Sequence, residues 1–224
     1  MEPQVETGIA RAMAGLGRQA AQHPEQHASA YLCYWAAFTN IYAALAAQQG
    51  VRPHFGLHKN GTLRTRRVGT LKMAEIDPPA ERELLDKACV GLDTALKHKL
   101  ITHTSTRFFV QRTPVWRGKS IAVDRARQRL NGVLDMRCTF DARYPLWRPI
   151  DAALYARYIR SKDTGPVDEE AQNVLARQIL DVLQTVAHNL LYSSAPTRDE
   201  NAPAVIEHAL ALLAGFVEGW LAQT

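Results

Sequence analysis

The sequence predicts an all-α fold, organised as a four-helix bundle with a central insertion. Apolar residues recur at steps of three and four along several long stretches, which is the spacing of one face of a helix. Only the stretch from Thr102 to Val110 is β-branched and aromatic enough to predict a short strand, and nothing comparable lies nearby to pair with it. A length of 224 residues suffices for one buried core. We therefore expect a single helical domain, residues 1–224, with a basic and mostly irregular insertion at about residues 51–146.

Three helices are predicted in the first half of the chain, at Val5 to Gln22, at about Pro24 to Gln49 and at Pro79 to about Lys97. The first helix has one apolar side, formed by Ile9, Met13, Leu16 and Ala20. The second helix has an apolar seam at steps of four and three residues, formed by Tyr31, Trp35, Phe38, Tyr42 and Leu45. Residues 51–78, between the second and third helices, are expected to form a loop with a turn at Asn60-Gly61.

Four more helices are predicted in the second half, at Ile121 to Leu130, at Ile150 to Ser161, at Asp168 to Tyr192, and from about Asn201 to the end. Asn201 is suited to cap the last helix, which carries Pro203 in its first turn. The apolar face of this last helix is formed by Val205, Ala209, Leu212, Phe216 and Trp220.

The composition is that of a folded soluble protein. Hydrophobic residues make up 46% of the chain, and no apolar run reaches the roughly 18 residues of a membrane span. The N-terminal residues lack the basic and apolar blocks of a secretory signal. The cysteines are widely separated and outside any C-x-x-C pair, which predicts reduced thiols in the core: Cys33, Cys89 and Cys138. We therefore expect a cytoplasmic protein without a membrane anchor, a bound metal or a cofactor.

Basic residues are concentrated in the middle third of the chain. The net charge is +5, and residues 52–72 contain six Lys or Arg and no acid. Residues 107–137 contain eight more, against two acids. Such a surface attracts a polyanion such as RNA, although Arg-rich surfaces that bind nothing are also common. The residues predicted to contact RNA are Arg64, Arg66, Arg67, Arg125, Arg127 and Arg129.

The predicted helix from Asp168 to Tyr192 has two contrasting faces. A core stripe surrounds Val186 and consists of Leu175, Ile179, Val182, Leu183 and Leu190. The opposite face carries polar residues three or four positions apart: Arg177, Asp181, Gln184, His188 and Tyr192. This polar row is either an ordinary solvated face with an Arg177–Asp181 ion pair or a candidate functional site.

Two stretches of the chain resemble the HEPN superfamily of four-helix bundles. One lies in the second predicted helix and reads Tyr34-Trp35-Ala36-Ala37-Phe38-Thr39-Asn40-Ile41-Tyr42. The other ends the Asp168 to Tyr192 helix and reads Val186-Ala187-His188-Asn189-Leu190-Leu191-Tyr192. In that family the second stretch usually contains an Arg followed a few residues later by a His, and an apolar helix comes next.

The resemblance implies a homodimer in which the two motif helices face each other across a cleft. In active members this cleft belongs to a metal-independent endoribonuclease of the toxin or phage-defence type, accompanied by an antitoxin or another defence-system protein. Attack of a ribose 2′-OH on its own phosphodiester needs a group that handles a proton and a cation that stabilises the developing charge. The matching residues here are Ala187, at the position of the family's Arg, then His188, Asn189 and Tyr192, with Asn40 on the adjoining helix.

The sequence departs from the family pattern at the two positions that carry this chemistry. Ala187 stands where the Arg is expected, and loss of one charge-stabilising group costs about 3 to 4 kcal/mol at an oxyanion-type site. Tyr192 stands where the His is expected, and a phenol is a poor base at neutral pH. His188 lies one turn earlier and is able to replace that His. The chain is then a member that has lost catalysis, a member that uses these residues differently, or an engineered form in which Ala187 replaces an arginine.

We therefore expect an RNA-directed protein, an endoribonuclease that is weak or inactive as written. The alternative is a non-catalytic helical module that binds nucleic acid or a protein through its basic central region. A third hypothesis is a small-molecule-binding domain whose pocket is lined by aromatic residues, namely Trp35, Tyr42, Trp116 and Trp147. The sequence has no Gly-rich phosphate loop, no His-Glu-x-x-His and no nucleophile elbow, so it gives no support to the corresponding enzyme classes.

Overall fold

A computed structural model of the protein describes residues 3–51, 58–60, 62, 64–68, 71–74, 78–111, 150–161, 168–192 and 202–224. Within these ranges the chain forms eight α-helices: α1 (Pro3–Ala20), α2 (His27–Gln48), α3 (Pro78–Gly91), α4 (Thr94–Thr102), α5 (Thr104–Gln111), α6 (Ala152–Ser161), α7 (Glu169–Tyr192) and α8 (Ala202–Leu221). A short 3-10 turn, Pro24–Gln26, precedes α2. An antiparallel hairpin precedes α3 and consists of β1 (Thr65–Val68) and β2 (Leu71–Ala74). The core of the described chain is entirely helical, which confirms the predicted all-α class.

The apolar core lies where α2, α7 and α8 meet. Phe38 of α2 packs edge-to-face on Phe216 of α8, with ring centroids 5.5 Å apart. The hydroxyl of Tyr31 on α2 donates a hydrogen bond to the carbonyl oxygen of Leu183 on α7, at 2.6 Å. The seam predicted for α2 is buried at every position, and the stripe predicted for α7 is buried or packed against the core. Both predicted faces are therefore confirmed.

α8 is long and apolar enough to cross a membrane, judged by length and composition alone. Half of its most apolar window is buried inside the protein, and the helix contacts α1, α2, α4, α5 and α7. A helix at the centre of a soluble core has the same composition, because most of its circumference faces other helices. The apolar character of α8 is accounted for by these contacts.

α1 packs on α2 through small residues and through part of the predicted apolar side. Met13 and Ala20 of that side pack against the core, whereas Ile9 and Leu16 are 46% and 52% exposed, so the prediction is wrong at these two positions. Among the described side chains of α1, the buried ones are Ala10, Ala14 and Gly17. The physical reason is a close approach of the two helices, since a Cβ atom on Gly17 would lie 2.7 Å from Cδ2 of Tyr34. Only small residues fit between helix backbones at this separation.

The region predicted to be a mostly irregular insertion contains three helices that belong to the core. α3 packs on α2 and α7, α4 packs on α7 and α8, and α5 packs on α8. Their buried residues include Leu84, Leu85, Leu96, Ile101 and Phe109. Helical structure is confirmed across most of the helix predicted from Pro79 to about Lys97, whereas the prediction of a mostly irregular insertion is wrong for residues 98–111. The helix predicted at Ile121 to Leu130 lies outside the described residues.

The third predicted helix, Pro79 to Lys97, is divided in two, and the strand predicted at Thr102 to Val110 is wrong. The Asp93 carboxylate accepts hydrogen bonds from two backbone amides, at 2.9 and 3.3 Å, and so caps a new helix inside the predicted one. The predicted strand lies within α4 and α5, which are separated at His103. No described strand lies beside it, so local helical hydrogen bonds prevail over β propensity.

The loop predicted at residues 51–78 contains the β1–β2 hairpin. Its Cα pairs run from Thr65 with Ala74 to Val68 with Leu71. Two residues separate the strands, which is the commonest spacing of a β-hairpin. Each strand has only four residues, too few for their alternation to be distinguished from a loop by pattern alone.

A buried polar network joins α4, α6 and α7. Nε2 of Gln172 donates hydrogen bonds to the carbonyl oxygen of Thr94, at 3.1 Å, and to the hydroxyl oxygen of Tyr158, at 3.0 Å. The same hydroxyl lies 2.9 Å from Nδ1 of His98. Burial raises the pKa of Tyr158, so the phenol keeps its proton at neutral pH. The network satisfies buried polar groups of three helices at once and fixes their relative positions.

Gly17→Ala is expected to destabilise the protein by about 1 to 3 kcal/mol, because the added methyl group would overlap the ring of Tyr34. Gly15→Ala is the matched control, since no neighbouring atom lies within 4 Å of a Cβ at Gly15. Alanine there is expected to stabilise α1 by about 0.5 to 1 kcal/mol through helix propensity. Urea unfolding measures both free energies. Equal changes in the two variants would contradict the close approach of α1 and α2.

Candidate functional site

The middle of the polar row of α7 is enclosed by other helices. α7 contacts α2, α3, α4, α6 and α8. Asp181 is 4% exposed and Gln184 is 0% exposed. The hypothesis of an ordinary solvated face is therefore wrong at these two positions, because neighbouring helices cover the side of α7 that the sequence pattern assigned to water.

Arg177 is the cation of this row, and both of its partners are carboxylates. Its guanidinium contacts Asp181, one turn further along α7, and Asp86 on α3. The predicted Arg177–Asp181 pair is confirmed, and Asp86 is an additional partner that the spacing within α7 does not reveal. Because the charge is paired on both sides, Arg177 joins α3 to α7 and is not a free cation for a phosphate.

Gln184 is a fully buried amide, and in the part of the chain that the structure describes neither Oε1 nor Nε2 has a hydrogen-bond partner. Exchanging the two atoms changes nothing, since both lack partners. The adjacent Thr185 is satisfied, because its hydroxyl donates to the carbonyl oxygen of Asp181 at 2.8 Å. A buried polar group left unpaired costs about 1 to 3 kcal/mol. Gln184 therefore lowers the stability of the packing around α7.

The structure describes only some side chains of the motif at the end of α7. Ala187 is fully buried in the core. His188, Asn189 and Tyr192 continue the helical backbone, and their side chains lie outside the described residues. The position assigned to the family's Arg is therefore a packing position within one subunit, where a guanidinium would need room and a counter-charge.

Asn40 forms its hydrogen bond within its own helix. Its Nδ2 donates to the carbonyl oxygen of Ala36 at 2.7 Å, and the side chain is half-buried. α2 begins beside Leu183 of α7 and ends beside the C-terminus of α3. Because α3 is antiparallel to α7, α2 carries Asn40 toward the N-terminal half of α7. The described contacts of Asn40 are those of a structural amide and do not join it to the motif.

The basic residues predicted to contact RNA lie partly on the hairpin. Arg64 is half-buried immediately before β1, and Arg66 and Arg67 belong to β1. Arg67 is paired with Lys72 across the hairpin. The other predicted contacts lie outside the described residues: Arg125, Arg127 and Arg129. The described part of the predicted interface is therefore the hairpin and its N-terminal flank.

The cysteine closest to the polar row is not an activated nucleophile. Cys89 is buried beside α7, and its Sγ lies 3.7 Å from the carbonyl oxygen of Asn173. Burial raises the pKa of the Cys89 thiol to about 11, so it is protonated at neutral pH. Burial also raises the pKa of the half-buried Cys33. Among the described residues, no group of three or more His, Cys, Asp or Glu side chains is placed to hold a metal ion.

The aromatic residues of the small-molecule hypothesis do not form a common pocket in the described structure. Trp35 and Tyr42 are buried on α2, each in ring contact with Phe38. Their role is that of core residues. Trp116 and Trp147 lie outside the described residues.

Gln172 is a structurally important residue that the sequence reasoning did not identify. It lies one turn before Leu175 and Ala176, and 1% of its surface is exposed. A usable signal was present in the sequence, since a Gln within a core stripe requires buried partners. Those partners, Thr94 and Tyr158, come from two other helices, and no spacing along the chain could name them.

No family model, curated protein sequence or solved structure matches the chain. The resemblance to HEPN proteins therefore depends on the two short stretches in α2 and α7.

Gln184→Met is expected to raise the free energy of unfolding by about 1 to 2 kcal/mol, because it removes the unpaired amide and keeps a similar volume. Gln172→Met is the matched control, since this second buried glutamine of α7 has two hydrogen bonds. We expect this control variant to lose about 1 to 2 kcal/mol. Chemical unfolding measures both variants, and destabilisation by Gln184→Met would show that the amide has a partner in solution.

Proposed function

We propose that the protein binds RNA through the β1–β2 hairpin and its basic flanks, and that it does so without cleaving the RNA. The observation that carries this proposal is the hairpin itself. Residues 52–72 contain six basic residues and no acid, and three of these basic residues, Arg66, Arg67 and Lys72, belong to the antiparallel ribbon of β1 and β2. A two-stranded ribbon is one of the elements with which proteins contact nucleic acids.

The register of the hairpin supports a polyanionic ligand. Arg67 and Lys72 occupy directly paired positions. Like charges at paired positions disfavour a hairpin, and a phosphate bound between them would reduce this repulsion. Arg66 adds a third cation to the same ribbon. Phosphate contacts of this kind give affinity that depends strongly on salt and weakly on sequence.

The proposal excludes cleavage because the described charged groups of the α7 row are already engaged in ion pairs. Arg177 is paired with Asp86 and Asp181, and Ala187 offers no charge to a phosphodiester. Cleavage needs a cation positioned at the reacting phosphate. The described part of α7 supplies none with a free charge, which favours the non-catalytic alternative.

Assembly and location are further parts of the proposal. The HEPN resemblance suggests a homodimer in the cytoplasm, with an antitoxin or another defence-system protein as partner. The apolar side chains of Ile9 and Leu16 are exposed on α1, and subunit contacts commonly bury surfaces of this kind.

The RNA proposal is tested with the double variant Arg67→Gln/Lys72→Gln, measured by fluorescence anisotropy with a single-stranded RNA over a range of salt concentrations. Each lost phosphate contact reduces the slope of log K against log salt by about 0.7 for single strands. We therefore expect the slope to fall by about 1.4, with affinity weakened about tenfold near 100 mM salt.

The matched control is Lys87→Gln/Arg160→Gln, which removes the same charge from exposed positions on α3 and α6. This control is expected to bind RNA like the unsubstituted protein. Equal losses of RNA affinity in the two double variants would show that only the net charge matters and would contradict an interface on the hairpin. His188→Ala is expected to leave binding unchanged.

The second candidate function is the metal-independent endoribonuclease. The observation in its favour is that α7 remains helical through Tyr192, which keeps His188 and Tyr192 one turn apart. Our proposal predicts no cleavage of RNA by the protein as written or by Ala187→Arg. It also predicts that Ala187→Arg loses about 3 kcal/mol or more of stability, since the charge enters the core.

Ala187→Met separates the effects of volume and charge and is expected to be less destabilising than Ala187→Arg. Gel analysis of labelled RNA, with unfolding midpoints for each variant, measures both properties. A stable Ala187→Arg protein that cleaves RNA would contradict the non-catalytic proposal and favour the endoribonuclease.

A further inference from the structure

A groove lies between α4, the start of α5 and α8. It encloses about 450 Å³, a volume within the range of small-molecule sites. Its floor is apolar and is formed by Leu96, Leu100, Leu212 and Phe216. Trp35 and Tyr42, two of the aromatic residues that the sequence suggested for a pocket, do not line this groove.

One rim of the groove carries two hydrogen-bond donors, Lys99 and His103. Nδ1 of His103 accepts a hydrogen bond from the backbone N–H of Ser105 at 3.2 Å. In the neutral ring this places the proton on Nε2. Burial and the neighbouring His208 lower the pKa of His103, so the neutral ring with one Nε2–H donor is the form at neutral pH.

The charges around the groove determine which sign of charge a bound ligand can carry. Lys99 is exposed on α4, and no described residue that lines the groove carries a carboxylate. Nε2 of His103 faces α8, about 3.8 Å from where a Cβ atom of Gly215 would stand. A group that accepts hydrogen bonds and carries negative charge complements this rim, whereas a cation is repelled.

Gly215 keeps the groove open where packing does not require a glycine. A Cβ at Gly219, one turn further along α8, would lie 3.2 Å from Cδ2 of Leu96, which is a tight contact. A Cβ at Gly215 would make only ordinary contacts, the nearest at 3.8 Å. Glycine inside a helix costs about 0.5 to 1 kcal/mol relative to alanine. Glycine at position 215 therefore lowers the stability of α8, and the packing of α8 on its neighbours does not explain why a glycine is present.

We propose that this groove binds a small organic carboxylate with a compact hydrocarbon body. The hydrocarbon lies on the floor formed by α4 and α8, and the carboxylate accepts hydrogen bonds from Lys99 and from Nε2 of His103. The ligand is a free small molecule, and its binding is independent of RNA binding by the hairpin.

The probe for this site is octanoate, followed by the amide resonance of Gly215 in NMR titrations of the full chain. We expect a saturable shift of this resonance. Octan-1-ol has the same hydrocarbon chain without the charge and is expected to bind about fivefold more weakly. Acetate has the charge without the chain and is expected to give no saturable shift at about 10 mM.

Variants at Lys99 and Gly215 test which residue contacts the carboxylate of the ligand and which contacts its hydrocarbon. Lys99→Gln is expected to weaken octanoate binding about fivefold and to leave octan-1-ol unchanged, whereas Lys99→Arg keeps the preference for the anion. Gly215→Leu is expected to fill the groove and to weaken both ligands at least tenfold, followed through the neighbouring resonances of Leu212 and Phe216. Gly15→Leu is its control, because this glycine also lies inside a helix and has open space around it.

The proposal is overturned by any of three results. The first is that octanoate produces no saturable shift. The second is that octanoate and octan-1-ol bind equally well. The third is that Gly215→Leu still binds octanoate while its unfolding midpoint shows that it is folded. A shift of Gly215 that depends on protein concentration without ligand would assign the groove to a second copy of the chain and would also overturn it.

Discussion

Enclosure of α7 is the constraint on which the rest of the structure depends. Five helices contact it, so the polar groups along its length must find partners inside the protein or remain unpaired. Arg177 finds two carboxylates, and Gln172 finds Thr94 and Tyr158. These interactions attach α3, α4 and α6 to the apolar centre made by α2, α7 and α8. Gln184 has no such partner among the described residues, so its amide is the buried polar group of α7 that this arrangement leaves unpaired.

The same enclosure decides which functions the site can support. A catalytic row on a helix has to face a cleft that a substrate can enter, with at least one charge left free. Arg177 is engaged on both sides and Ala187 lies in the core. The hairpin is different, because its cations lie in a segment without acids. Binding of a polyanion at the hairpin therefore agrees with the charge distribution better than chemistry on the described part of α7 does.

Small residues set the distances between helices and decide where space is left. Gly17 lets α1 approach Tyr34 on α2 closely, and the larger residues Ile9 and Leu16 of α1 are exposed. Gly219 makes a similar contact with Leu96 of α4, whereas Gly215 leaves room for the groove beside His103. Two glycines of one helix thus have different roles. Their shared helical context in the sequence does not distinguish them.

The sequence by itself determined the helical class, the apolar faces of α2, α7 and α8, and the Arg177–Asp181 pair, because these depend on spacing within one helix. Only the tertiary structure decided that α1 packs through Ala10 and Gly17, that residues 78–111 belong to the core, and that Asp181 and Gln184 of α7 are buried. Each of these depends on which helices become neighbours, and that choice involves residues far apart in the chain. For the candidate site, the sequence located polar residues on one helix face, whereas the contacts of α3 with α7 determined which of them are already paired.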